Sequence, residues 1–204
     1  MLLNTVEKAL MNNPVRGAIQ RRFEGRRLLA MGGPVPGGHV LEMGCGRGVG
    51  TEIIFDLFGA GRVDAFDLDP AMVALAQRRL RGRLARVSVG DAERIDAPDA
   101  TYDAVFDFAI VHHVPDWRAA LREAYRVLKP GGRFYAEEVL AKLIHHPLWR
   151  RVLEHPMEDR FDRDGFARGL EDAGFRVTAS REMLGQLAWF VAERPRAGDA
   201  AVGT

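Results

Sequence analysis

The chain of 204 residues has a single cysteine, Cys45. A lone thiol forms no internal disulfide, which points to a reducing compartment, and it excludes a cysteine-built zinc site. Long apolar runs are missing as well, since none approaches the ~18–20 residues that span a bilayer. The opening MLLNTVEKALMNNP carries Glu7 and Lys8 and lacks a basic leading region, so it does not read as a signal peptide. Nor is one sign of charge in excess. Twenty-nine basic against twenty-eight acidic side chains leave a formal +1, without the electrostatic footprint of a dedicated nucleic-acid binder. What is present is ordinary: 47% hydrophobic and 28% charged residues exclude wholesale disorder. A chain of this length buries a full core unaided. The expectation is a cytoplasmic protein with one core.

Short β-branched or apolar runs alternate with longer helical patterns, the signature of βαβ units and a parallel sheet. The predicted strands are His39–Glu42, Arg62–Asp67, Leu84–Val89, Tyr102–Phe108 and Arg133–Glu138. Phe175–Arg181 and Leu187–Glu193 follow, joined through Gly185, which predicts an antiparallel hairpin at a sheet edge. Helices are expected over Gly48–Phe58, Pro70–Arg81, Asp116–Leu128 and Arg163–Asp172. Asp69-Pro70 supplies a side-chain cap and a φ-restricted proline at a helix start. Lys129-Pro130-Gly131-Gly132 reads as a stop followed by a turn.

Two segments fall outside the alternation. Residues 1–31 read as two helices broken at Asn12-Asn13-Pro14, the first with Leu2, Leu3, Val6, Ala9 and Leu10 on one stripe. With one acid and one base that helix lacks the basic face of a membrane binder, so a lid over the site is expected. Arg16, Arg21, Arg22, Arg26 and Arg27 spread around the helix and read as solvated surface. Residues 140–158 form a second candidate cover. The division is therefore 1–31 as lid, 32–194 as the main domain with the 140–158 insert, and 195–204 as a flexible tail.

The stretch with chemistry in it is Val40-Leu-Glu-Met-Gly-Cys-Gly-Arg-Gly48, where a strand enters a glycine-rich turn and a helix follows. Glycines at 44, 46 and 48 let a ligand approach the main chain, and the helix start offers unpaired N–H groups. A dinucleotide fingerprint, G-x-G-x-x-G/A, fails in both registers, because its last position falls on Val49 or Thr51. A nicotinamide oxidoreductase is disfavoured on that ground.

The order acid-x-Gly-x-Gly-x-Gly from Glu42 to Gly48 instead resembles the first motif of class I S-adenosylmethionine-dependent methyltransferases. Asp67 ending the second strand, Gly-Asp91-Ala92 ending the third, the stretch from Tyr102 through His112-His113 to Pro115, and Leu128-Lys-Pro-Gly-Gly-Arg-Phe follow in the right order. Together they cover roughly residues 38–138. The resemblance implies an α/β, Rossmann-like fold: a seven-stranded, mostly parallel sheet with an antiparallel C-terminal edge hairpin and helices on both faces. It implies S-adenosyl-L-methionine as cofactor, with Gly44 and Gly46 under its methionine end and Glu42 anchoring the loop or the ammonium group. Asp67 would take both ribose hydroxyls; Asp91 and Ala92 would read adenine, while Met72 and Phe108 pack nearby. The plain alternatives are a capping loop aspartate for Asp91 and ordinary core for Met72.

Three residues are candidates for chemistry on the acceptor. His113 or His112 could serve as a base, since imidazole titrates near neutrality. Asp107 ends the fourth strand where many relatives carry small residues, so it could hold the ammonium group or face the substrate. A metal site from Glu137, Glu138, His145, His146 and His155 is disfavoured, because adjacent histidines on a helix diverge by ~100°. One of Glu137 and Glu138 is expected to point into the pocket. Leu2, Leu3, Phe108, Leu143, Leu148 and Trp149 suggest a partly apolar pocket, and hence a small acceptor resembling those of the quinone-type methylases. Neither nucleic acid nor stable membrane insertion is expected of it; a homodimer is compatible. The competing reading is a non-catalytic S-adenosylmethionine binder with the same fold, which would bind the cofactor without forming S-adenosylhomocysteine.

Overall fold

The computed structural model describes residues 14–145, 159–196 and 198. Its strands are β1 (His39–Met43), β2 (Arg62–Asp67), β3 (Ala85–Val89), β4 (Tyr102–Phe108), β5 (Leu128–Val139), β6 (Arg176–Met183) and β7 (Leu187–Glu193). They form one sheet in the order β3-β2-β1-β4-β5-β7-β6. The first five run parallel, and β7 pairs antiparallel with both β5 and β6. The seven-stranded sheet and its C-terminal hairpin match the expectation.

The helices are α1 (Pro14–Ile19), α2 (Gly25–Gly32), α3 (Val49–Ile53), α4 (Pro70–Arg79), α5 (Trp117–Val127), α6 (Ala141–Ile144) and α7 (Arg163–Asp172). Wider π-helical turns, Gln20–Glu24 and Ile54–Phe58, continue α1 into α2 and extend α3. Side-chain caps mark three starts: Asp69, Asp116 and Asp162 accept from the N–H of Ala71, Ala119 and Gly165. Each cap satisfies a donor that the helix itself leaves open.

Period-two alternation splits the core between the sheet's two faces. Phe134 and Ala136 join Trp117, Leu121, Phe166 and Phe190 on the side of α5 and α7. Tyr135 joins Leu28, Ile53, Phe58, Phe106 and Trp189 on the side of α2 and α3. Both faces of the central strand β4 are covered, and its residues are mostly apolar or aromatic, interrupted by Asp103 and the buried Asp107.

Three expectations differ from what is observed. The turn at Lys129–Gly132 lies inside β5: pairing passes from Tyr102↔Leu128 to Ala104↔Arg133, a bulge within a continuing strand. Gly131 donates to the Arg194 carbonyl at 2.7 Å and Gly132 accepts from Arg194 at 2.9 Å, so the extra residues stay anchored to the chain leaving β7. The basic N-terminal segment is not a solvated surface throughout. Arg16 pairs with Glu24 and stands 3.7 Å from Glu137, Arg21 meets Asp56 at 2.6 Å, and Arg27 stacks over Phe23 and Trp189. Finally, α2 packs into the sheet, with Leu28 fully buried and Tyr135 donating to the Gly32 and Gly33 carbonyls. Only the part before it stands where a cover could. The predicted first helix, and residues 146–158 of the insert, lie outside the described residues. Among the described residues, no helix is long and apolar enough to cross a membrane.

Candidate functional site

A cleft of about 370 Å³ opens at the carboxyl ends of the parallel strands. This is the edge where open α/β sheets bind ligands, beside the point where strand order reverses between β1 and β4. The turn after β1 supplies Gly44 and Gly46 to its wall. Gly44 has φ +64°, and a Cβ there would stand 2.7 Å from Ile110. Gly46 has φ +51° with no atom within 4 Å of where a Cβ would be, so bare main chain faces the cleft. Both positions need glycine, for conformation in each case and for room at Gly44.

Asp67, the last residue of β2, binds this turn in place. One carboxylate oxygen accepts the Gly46 N–H at 2.8 Å and the other the Asp69 N–H at 2.9 Å. The same side chain lines the cleft. Glu42 lies behind it, fully buried, accepting from the Thr51 hydroxyl. Burial is the main reason its carboxyl is pushed up to about 8; the Thr51 bond works against this, while the negative charge of Asp67 adds to it. Asp67 is therefore the carboxylate that the glycine turn presents to the cleft, and it favours a cationic ligand there.

At the other end of the cleft, Met72 sits in the first turn of α4, and Asp91 with Ala92 follows β3. Asp91 also accepts the Glu93 N–H at 3.0 Å, so it caps a local turn while exposed to the cleft. Phe108 is buried with its ring against Phe106 at 5.8 Å and forms part of the floor. Gly17 and Gln20 of the N-terminal segment border the cleft as well, as do Ile110, Val114 and Pro115. No motif marks Gln20, and only the three-dimensional path of the chain brings it here.

The three candidates for acceptor chemistry separate. His113 is half-buried and lines the cleft. His112 is buried, and its Nδ1 lies 2.7 Å from Glu138 Oε2. Asp107 is fully buried and accepts the Ile110 N–H at 2.9 Å. Neither of these two lines the cleft. The expectation for Glu137 and Glu138 is corrected in the same way. They do point to opposite faces, but both are buried off the cleft, Glu138 on His112 and Glu137 towards Arg16. Of the suggested apolar wall, Phe108 is present and Leu143 is not; Leu2, Leu3, Leu148 and Trp149 lie outside the described residues, as do His146 and His155.

Comparison with known proteins bears on the same region. Residues 41–136 match the model of a methyltransferase domain. A malonyl-[acyl-carrier protein] O-methyltransferase from Serratia marcescens is 38% identical over 115 residues, covering 56% of this chain and 44% of that protein. A fatty-acid O-methyltransferase from Mycolicibacterium smegmatis is 32% identical over 119 residues, 58% of this chain and 43% of the other. The chain thus matches under half the length of these relatives. In fold it is similar to a SAM-dependent methyltransferase from Aquifex aeolicus, with a TM-score of 0.73 at 23% identity, over 93% of this chain and 97% of that one. With its glycine turn, sheet order and the match over residues 41–136, the chain is similar to the class I S-adenosylmethionine-dependent methyltransferases.

Proposed function

We propose that this chain binds S-adenosylmethionine in the cleft and transfers its methyl group to a small, partly apolar acceptor, with release of S-adenosylhomocysteine. The observation that carries the reading is the pairing of Asp67 with the glycine turn. A bare main-chain cradle lies within one hydrogen bond of a carboxylate that faces the same cleft. The residues present fit the cofactor at both ends. The Asp67 carboxylate stands at the turn that would take the methionine end, and Met72 and Phe108 offer apolar surface. The cleft volume falls in the range of about 300–1,000 Å³ usual for small-molecule sites.

The cofactor supplies an electrophilic methyl group on a positively charged sulfur. The chain's own residues hold and orient. Gly44 and Gly46 would bear the methionine end, with Glu42 behind them. Asp67 would accept from the two ribose hydroxyls, to which a carboxylate presents two oxygens. Asp91 would take the exocyclic amine of adenine and the Ala92 N–H a ring nitrogen. His113 is assigned to the reacting end because, of the three candidates, it alone lines the cleft. There it can accept the acceptor's proton, and the surrounding wall keeps water from competing. Neutral overall charge favours a small acceptor over nucleic acid. The single, buried cysteine favours a cytoplasmic setting.

Calorimetric titration with S-adenosylhomocysteine tests the cofactor, with NADH as comparison. Low-micromolar binding of the first and none of the second is expected. Asp67→Ala should weaken it by ~1.5–3 kcal/mol, the range for bonds to a charged group. Unchanged affinity in that variant removes the ribose assignment. Incubating the wild type with S-adenosylmethionine and a panel of carboxylic acids, phenols and amines tests turnover. Tight binding without product from any member favours the non-catalytic reading.

A further inference from the structure

The buried group that the proposed chemistry does not use is Glu138, and it is surrounded by donors. Oε1 accepts the Val111 N–H at 2.9 Å. Oε2 accepts the His112 N–H at 3.2 Å and lies 2.7 Å from His112 Nδ1. A fully buried carboxyl thus ties down both main chain and side chain of a single 3₁₀ turn, Val111–His113. Beside it, Asp107 accepts the Ile110 N–H through Oδ1. Its Oδ2 is buried and meets no N–H or hydroxyl donor. A proton shared between Asp107 and Glu138 resolves this, because two buried carboxyls in contact do not both ionise. Asp107 is the member that keeps the proton: burial and the Glu138 charge both drive its carboxyl well above the usual range. It therefore donates to Glu138, which remains the acceptor for the turn.

Two further observations show that this turn needs holding. Ala109, just before it, has φ +63°, a left-handed conformation that a residue with a Cβ keeps only when its surroundings impose it. Its N–H is held by the Glu137 carbonyl at 2.8 Å, and Arg160 reaches the His112 carbonyl at 2.6 Å from the other side. The last residue of the clamped turn is His113, whose ring lies 4.1 Å from that of His112 and which lines the cleft. We propose that Glu138 is the positioning residue of the site: it holds the Val111–His113 turn and His112 so that His113 faces the reacting end of the cleft. This rests on the methyltransferase reading for what His113 does there, but not for how it is held.

The test uses the full chain with ¹⁵N-labelled histidine, with and without S-adenosylhomocysteine. In the wild type, His112 should show one tautomer with a slowly exchanging Nδ1 proton, and His113 one sharp set of signals. Glu138→Gln should remove the slow His112 proton and shift or split the His113 signals. Asp107→Asn retains a neutral donor to Glu138 and an acceptor for Ile110, so it should keep the wild-type pattern. Asp107→Ala removes both and should reproduce the Glu138→Gln pattern, which keeps the proposal testable if Glu138→Gln does not fold. Wild-type histidine spectra in Glu138→Gln, or equal disruption by Asp107→Asn and Asp107→Ala, would overturn it. Failure of the wild type to bind S-adenosylhomocysteine instead overturns the methyltransferase reading, while the histidine spectra still decide the positioning role.

Discussion

At the scale of single residues, buried carboxyls divide the labour of the site. Asp67 remains half-buried and bonds to two main-chain N–H groups, so it serves as a carboxylate. Glu42 is fully buried with one hydroxyl donor, and burial raises it to about 8. Its folded value thus lies above the unfolded one near 4.5, and the native state binds the extra proton between those two pH values. The associated stability is fully present below the unfolded value and is lost as pH rises through 8. Glu42→Gln removes this titration. Urea unfolding at pH 6 and pH 9 should show wild type losing about 2 kcal/mol more than Glu42→Gln over that interval. Parallel losses in the two proteins would mean that Glu42 is ionised throughout.

Elements were legible where local chemistry and tertiary packing agree. Asp69-Pro70 marks the start of α4 and α7 runs over Arg163–Asp172, both as the sequence predicts, while the Asp162 cap on Gly165 emerges only in the structure. The strand ending at Asp67 and the run Leu187–Glu193 are found with the expected bounds. Most of the candidate cofactor residues reach the cleft because a motif ties them to a strand end; Met72 reaches it from the first turn of α4. What the sequence hid depends on distant neighbours. Glycines at 131 and 132 look like a turn until Arg194 holds them in a bulge. Asp107, Glu137 and Glu138 look like pocket carboxyls until α2, Arg16 and His112 cover them. Packing between helices is equally invisible in sequence. Gly169 of α7 faces Trp117 of α5, and a Cβ there would lie 2.3 Å from the indole. Gly169→Ala should therefore destabilise by about 1–3 kcal/mol through overpacking, despite alanine's better helix propensity. Because Gly169 does not line the cleft, S-adenosylhomocysteine affinity in dilute urea-free buffer should stay within twofold of wild type. A stabilised variant in chemical denaturation would show that the helices separate freely.

The whole molecule is joined across the sheet by a charge arrangement that composition conceals. Arg16 of α1 pairs with buried Glu24, and both stand by Glu137 of β5, a strand more than a hundred positions later. Burial and the Glu24 charge raise Glu137 well above the usual carboxyl range against the pull of Arg16, so it carries a proton and can donate to Glu24. One cation then balances one anion, and the third group stays neutral. Glu137→Gln preserves that neutral donor, so at pH 7 it should unfold within about 1 kcal/mol of wild type. Arg16→Met leaves Glu24 buried without its cation and should cost about 3–5 kcal/mol, less whatever solvent screening the partly exposed arginine already feels. The same variant frees the segment that carries Gly17 and Gln20 to the cleft, so S-adenosylhomocysteine affinity should fall together with stability. In alkaline solution the order of the first pair changes sign. Wild type must ionise Glu137 beside Glu24 or keep a proton it would otherwise release, whereas Glu137→Gln has no such titration and becomes the more stable protein. Thermal unfolding from pH 7 to pH 10 measures this crossing, and a wild type that stays the more stable at every pH would show Glu137 to be an anion bound by Arg16.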